Sequence, residues 1–239
     1  MLNLAAALLP AFLLLMYFVK KDAYPEPTHL LVKTFVLGCL TVIPVVIIAL
    51  PMMETINSIP DPLTRATQTA FVLAAIPEEL MKWMVVWFFC AQKSDFDEPM
   101  DGFVYGATAS LGFAALENIL YVGEGGLGVA LARAFTAVPA HAFFGAIMGY
   151  YISKAVFTEP ERRGRNLLLS FLIPMVLHGV YDIGPMYLQA LGEEGINSAG
   201  AGILLPILLF LVTLIGMWIW VKRLVARAVA HQAEAEAEA

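Results

Sequence analysis

The 239 residues are 60% hydrophobic and 14% charged, with a mean hydropathy of +0.77, against about 45–50% apolar and about 25% charged in soluble domains. A chain of this kind is an integral membrane protein. A nucleic-acid binder is excluded, because the net charge is −6 and no basic stripe carries interleaved aromatics.

Apolar runs of about 20 residues cross a bilayer as helices. The fold class predicted is an all-α polytopic membrane helix bundle of about seven transmembrane helices, at roughly 2–19, 30–50, 68–91, 102–122, 130–157, 167–190 and 201–221. Residues 2–19 lack a basic leading region and a small-residue cleavage site, and Lys20-Lys21 follows directly, so the segment reads as retained rather than as a removed signal peptide. Connections are short, which makes 1–239 a single transmembrane domain. Pro25-Glu26-Pro27, Pro60-Asp61-Pro62 and 159–164 mark turns. Cys39 and Cys90 fall inside apolar runs and read as small apolar residues, not as a disulfide framework. The closing 231–239, HQAEAEAEA, is a low-complexity tail to which no function is assigned.

Basic residues set the orientation. Lys20, Lys21, Lys33, Lys93, Lys154, Arg162, Arg163, Arg165, Lys222, Arg223 and Arg227 stand at alternate ends of the runs, and the other side receives Arg65 and Arg133. The excess of positive charge belongs in the cytoplasm, so the N-terminus is expected outside and the localisation is the cell (plasma) membrane, multi-pass.

Ionisable groups inside the runs point to function, since charge at bilayer depth is costly. In the third run Glu78 and Lys82 are i,i+4 neighbours and Glu79 and Lys82 are i,i+3, so one ammonium reaches either carboxylate. The fourth run carries Glu117 and Asn118 behind a series of small residues from Gly102 to Ala115 that permits close helix contact. The fifth carries His141 ahead of Gly145 and Gly149, and the sixth carries His178 and Asp182 on one face. As purely structural features, the Glu–Lys pair is a buried ion pair and a lone histidine is a satisfied core group. Shared depth argues against that. Counted from the outer ends, Glu79, His141 and His178 each lie about 11–12 residues in, roughly 17 Å at helical rise, with Glu117 and Asp182 shallower. These groups are expected to form one layer, reached from the outer half of the membrane.

With Pro77-Glu-Glu-Leu-Met-Lys82, Pro99-Met-Asp-Gly-Phe-Val-Tyr-Gly106 leading to Gly112-Phe-Ala-Ala-Leu-Glu-Asn118, Arg133 with His141 and Gly145, and His178-Gly-Val-Tyr-Asp182, the chain resembles the PrsW family of intramembrane proteases over roughly 70–185. It is similar, more distantly, to the CAAX prenyl endopeptidase superfamily, from which it departs where Phe113-xxx-Glu117 and His178-xxx-Asp182 replace FxxxH and HxxxN. The resemblance implies a peptidase that cleaves a membrane-anchored protein such as an anti-sigma factor. Glu78, Glu79, Lys82, Glu117, His141, His178 and Asp182 are the candidate catalytic residues.

Two mechanisms stay open. Glu79, Glu117, His141 and His178 could hold Zn²⁺ with a position left for water, although HExxH is absent. In the metal-free version a glutamate activates water and a histidine stabilises the oxyanion. A different class, a proton-coupled transporter or channel using the Glu/His cluster as a relay, fits the same residues but lacks the paired interrupted segments of inverted repeats.

Overall fold

Backbone groups in lipid have no water to bond, so apolar runs must close their hydrogen bonds internally. The computed structural model describes residues 2–238, and these are helical apart from short connections, with no strand among them. The helices are α1 (Leu2–Val19), α2 (Thr28–Leu40), α3 (Val42–Asn57), α4 (Pro62–Gln68), α5 (Ile76–Met84), α6 (Pro99–Phe135), α7 (Ala137–Phe157), α8 (Pro160–Ala199) and α9 (Leu204–Glu238).

Among the described residues five stretches are long and apolar enough to cross a membrane: Thr28–Asn57, Pro99–Gly123, Gly125–Phe157, Pro160–Gly192 and Gly200–Glu234. The predicted runs at 2–19 and 68–91 are helical as well. The first is shorter, and the second changes its winding twice. Glycines in the left-handed region turn the chain at Gly126 (φ 68°) and Gly192 (φ 65°), conformations that a side chain would strain. Both cysteines are free.

The winding just ahead of α5 follows from Pro77. Asp61 caps α4 by accepting from the Thr64 N–H at 2.8 Å, with Pro62 at the first helical position. Further on, Pro77 has no N–H to give and its ring crowds the carbonyl four residues back. The helix relieves this by widening into a π-helical turn at Thr69–Ala75 before α5, and widens again at Val85–Cys90. The short segment carrying Glu78, Glu79 and Lys82 is therefore bracketed by π turns.

The centre of the bundle is α6, where an 18-residue apolar window within 99–123 is 78% buried, against 17–44% for the windows of the other four membrane-length stretches. Small residues make this possible. A methyl group added at Gly106 would overlap the Gly145 carbonyl, one at Gly149 would overlap the Gly102 carbonyl, and one at Gly112 would overlap the Phe35 carbonyl. The backbones of α7 and α2 thus lie directly on α6. The two ends of the bundle are distinct. Phe96 stacks on Phe157, Ser153 donates to the Pro99 carbonyl and Gln232 meets Asp22 at one end, while Arg65 donates to the Ala190 carbonyl at the other.

Gly106→Leu is expected to lower stability by at least about 1–3 kcal/mol, the usual cost of overpacking, since backbone cannot yield as a side chain can. Gly123→Ala, with open space around it, is expected to leave the unfolding temperature in detergent unchanged, and thermal unfolding of the two variants checks the contrast.

Candidate active site

The interior of the bundle holds one connected polar network. At its centre the fully buried Lys82 ammonium donates to Glu79 Oε1 at 2.8 Å and to Glu78 Oε2 at 3.1 Å, and lies 3.2 Å from His141 Nδ1. Its charge also faces the Phe113 ring, 4.1 Å from the centroid. An ammonium has donors and no acceptor, so His141 Nδ1 must accept from it. The ring proton of His141 then sits on Nε2, which donates to Glu117 Oε2 at 3.1 Å.

The same Glu117 oxygen accepts from Arg133 Nη2 at 2.5 Å. Arg133 Nε donates to Asn118 Oδ1 at 2.7 Å, and Asn118 Nδ2 donates to the Ala7 carbonyl at 2.8 Å, tying α6 to α1. This line of contacts fixes which nitrogen of His141 faces the site centre.

On α8, His178 Nδ1 lies 2.8 Å from Glu79 Oε1, and Nε2 lies 3.2 Å from Asp182 Oδ2 and 3.9 Å from Glu78 Oε2. The ring stacks on Phe144 at 4.7 Å and 15°, edge-on to His141 at 5.3 Å. Packing on one side and carboxylates on both nitrogens leave it little freedom to rotate.

All seven candidate residues therefore meet, through contacts from α5, α6, α7 and α8. Their grouping differs from the expected one in two respects. Glu78, not Glu79, lines the cavity of about 410 Å³ that opens beside the network, together with Glu117, Arg133, His141, His178 and Asp182. Glu79 lies beneath it, fully buried, with Oε2 lacking a hydrogen-bond partner. Among possible metal donors, Glu78, Glu79, His141 and His178 each offer an atom within 4.8 Å of the others; Glu117 is outside this group and acts on His141 Nε2. Arg133, Phe113 and Phe144 join the site beyond those seven; for the two aromatics the signal in the sequence is helical spacing, since Phe113 precedes Glu117 by four and Phe144 follows His141 by three.

Comparison with known proteins gives the family of the chain. The family described as PrsW family intramembrane metalloprotease matches residues 26–219. The chain is 45% identical over 181 residues to a protein named Protease PrsW from Geobacillus kaustophilus, covering 75% of this chain and 77% of that one. It is 38% identical over 181 residues to Protease PrsW of Bacillus subtilis (75% and 80% covered) and 32% identical over 182 residues to that of Clostridioides difficile (74% and 76%). No solved structure matches the chain.

The metal implied by that family description fits the residues present. Two carboxylates and two imidazoles converge, and one buried carboxylate oxygen of Glu79 is without a partner. Charge agrees: two side-chain cations, Lys82 and Arg133, face four carboxylates, Glu78, Glu79, Glu117 and Asp182, leaving a deficit of two positive charges. A protonated His178 offsets half of that deficit, and a divalent cation offsets all of it.

Lys82→Met leaves two buried carboxylates without their shared cation and is expected to cost about 3–5 kcal/mol. Added Zn²⁺ should recover more stability in Lys82→Met than in the unaltered chain. Thermal unfolding in detergent with and without the ion checks both; an unchanged midpoint in the variant would show that the ammonium does not hold the site together.

Proposed function

The chain belongs to the PrsW family of intramembrane metalloproteases and is a membrane-embedded peptidase, and from that premise we propose that it hydrolyses a peptide bond in a membrane-anchored protein substrate, an anti-sigma factor of a stress-signalling cascade being the kind expected. The observation carrying the reading is that Glu78, His141, His178 and Asp182 line one cavity while Lys82 and Glu79 back them from below. A proton relay would use the same groups, but the family is one of proteases.

A peptide bond within a helix has its amide and carbonyl already bonded, so the substrate must present an unwound stretch. Room for one comes from the cavity and a neighbouring hollow of about 520 Å³ that shares Tyr121, Met186 and Gln189 with it. Lys82 holds one oxygen of Glu78, and Glu78 is assigned as the base that takes a proton from the attacking water and returns it to the leaving amine. His178, kept in place by Asp182 and Phe144, sets positive charge beside the developing oxyanion. His141, with its proton committed to Glu117, turns its Nδ1 lone pair toward the site centre, where it accepts from Lys82. In the metal route, by contrast, Zn²⁺ would be held by Glu79, a neutral His178 and His141, whose Nδ1 Lys82 would release, with Glu78 left as the base, and the ion would supply Lewis-acid polarisation and lower the pKa of bound water to about 7.

Glu78→Gln, Glu79→Gln, His141→Ala and His178→Ala are each expected to reduce cleavage of a single-span substrate in vesicles by about 10²–10⁴-fold, and pairs should be no worse than singles because the groups act as a unit. Cleavage at the normal rate by Glu78→Gln would sink this assignment. Metal content by elemental analysis, read beside activity after chelation and after Zn²⁺ is returned, assigns the metal route or the metal-free one.

The topology is proposed as seven crossings of the cell membrane with the N-terminus outside, on the distribution of basic residues. Reporter fusions should then read cytoplasm at 92–98 and the outside at 191–200. Finding 191–200 in the cytoplasm would reverse it.

A further inference from the structure

A second group of carboxylates lies at the other end of the bundle from the cavity. It is assembled from three separate parts of the chain: Asp22 and Glu26 between α1 and α2, Glu98 and Asp101 at the start of α6, and Gln232 near the end of α9. Asp22 is 7% exposed, Glu26 6% and Asp101 1%. Local donors account for some of their oxygens. Asp101 Oδ2 accepts the N–H groups of Asp97 and Glu98 at 2.7 and 2.8 Å, and Glu26 Oε2 accepts from the Tyr105 hydroxyl at 2.5 Å. Gln232 Nε2 donates to Asp22 Oδ1 at 2.9 Å and to Glu98 Oε1, and Gln232 Oε1 accepts from the Ala23 N–H at 3.3 Å.

What these donors lack is charge. Among the described residues no lysine or arginine nitrogen lies within 4.0 Å of any of the four carboxylates; every ion pair belongs to the active-site network. The Asp22 Oδ2 atom is buried with no hydrogen-bond partner at all. Oxygens of Asp22, Glu98 and Asp101 lie within 4.8 Å of one another. Buried anionic charge of this kind is tolerated when a proton or a cation neutralises it.

We propose that Asp22, Glu98 and Asp101 form a binding site for a hard divalent cation of the calcium or magnesium class, which pins the end of α9 to the connections at 20–27 and 91–98. All donors are oxygens, the preference of those ions, with neither the imidazole nor the thiolate that zinc favours. Gln232 orients two of the three ligands and couples the ion to the C-terminal helix.

The test uses the full chain in detergent carrying Glu79→Gln and His178→Ala, which disable the other cluster. Titrated with Mn²⁺ and followed by electron paramagnetic resonance of the free ion, this protein is expected to bind one Mn²⁺, displaced by Ca²⁺ or Mg²⁺. Asp22→Asn in the same background should bind none, and Gln232→Ala should bind about tenfold more weakly. Stability gives a second reading that survives if that background does not fold. In the otherwise unaltered chain without ions, Asp22→Asn should unfold at the same or a higher temperature, because it removes uncompensated charge, and it should lose the upward shift that Ca²⁺ gives the unaltered chain. The proposal is overturned if the folded background protein binds no ion, if Asp22→Asn still binds one, or if Ca²⁺ shifts both chains equally.

Discussion

One ammonium group decides whether this site can exist. Two adjacent carboxylates deep in a membrane protein repel each other and forfeit their hydration, and a single lysine one turn away answers both while taking the lone pair of a histidine from another helix. Each neighbour of Lys82 is fixed in consequence. Glu78 is held at the cavity wall, Glu79 is left with one oxygen bonded and one not, and His141 can carry its proton only on the far nitrogen. Electrostatics of this strength requires exclusion of water, which the close packing of α6, α7 and α2 supplies.

From that centre the order spreads in two directions. Through His141, Glu117, Arg133 and Asn118 it reaches the backbone of α1 at Ala7, so a helix with no site residue of its own takes part in orienting an imidazole. Through His178 it reaches Asp182 and the Phe144 ring. The balance of charge stays negative, which is the physical reason that the family's metal has somewhere to act and that a metal-free cycle would depend on a protonated histidine.

Much of this was legible in the sequence. Hydropathy announced the helices, and the cost of burying charge singled out Glu78, Glu79, Lys82, Glu117, His141, His178 and Asp182. Which glutamate faces the cavity was not legible, because each π turn takes in an extra residue and one residue is about 100° of rotation on a regular helix. A wheel drawn through 68–91 thus loses its phase on both sides of the pair. Glu117 was expected among the metal ligands because depth alone cannot tell a ligand from a group behind a ligand; the tautomer of His141 makes that distinction. The tail at 231–239, low in complexity, concealed Gln232, whose partners lie about two hundred positions earlier at Ala23 and Asp22. No local pattern encodes such a contact.

The glycine contacts between α6 and α7 also say which part of the wall of the protein is fixed. Helices whose backbones touch at Gly102, Gly106, Gly145 and Gly149 form a weld, since separating them would leave seams that no side chain fills. Phe210 of α9 lines the cavity beside Pro185 and Met186 of α8. The fixed frame of the bundle is in this way set by backbone distance, and it reaches the far wall of the cavity at Gly184 of α8, where an added methyl group would overlap the Pro206 carbonyl of α9.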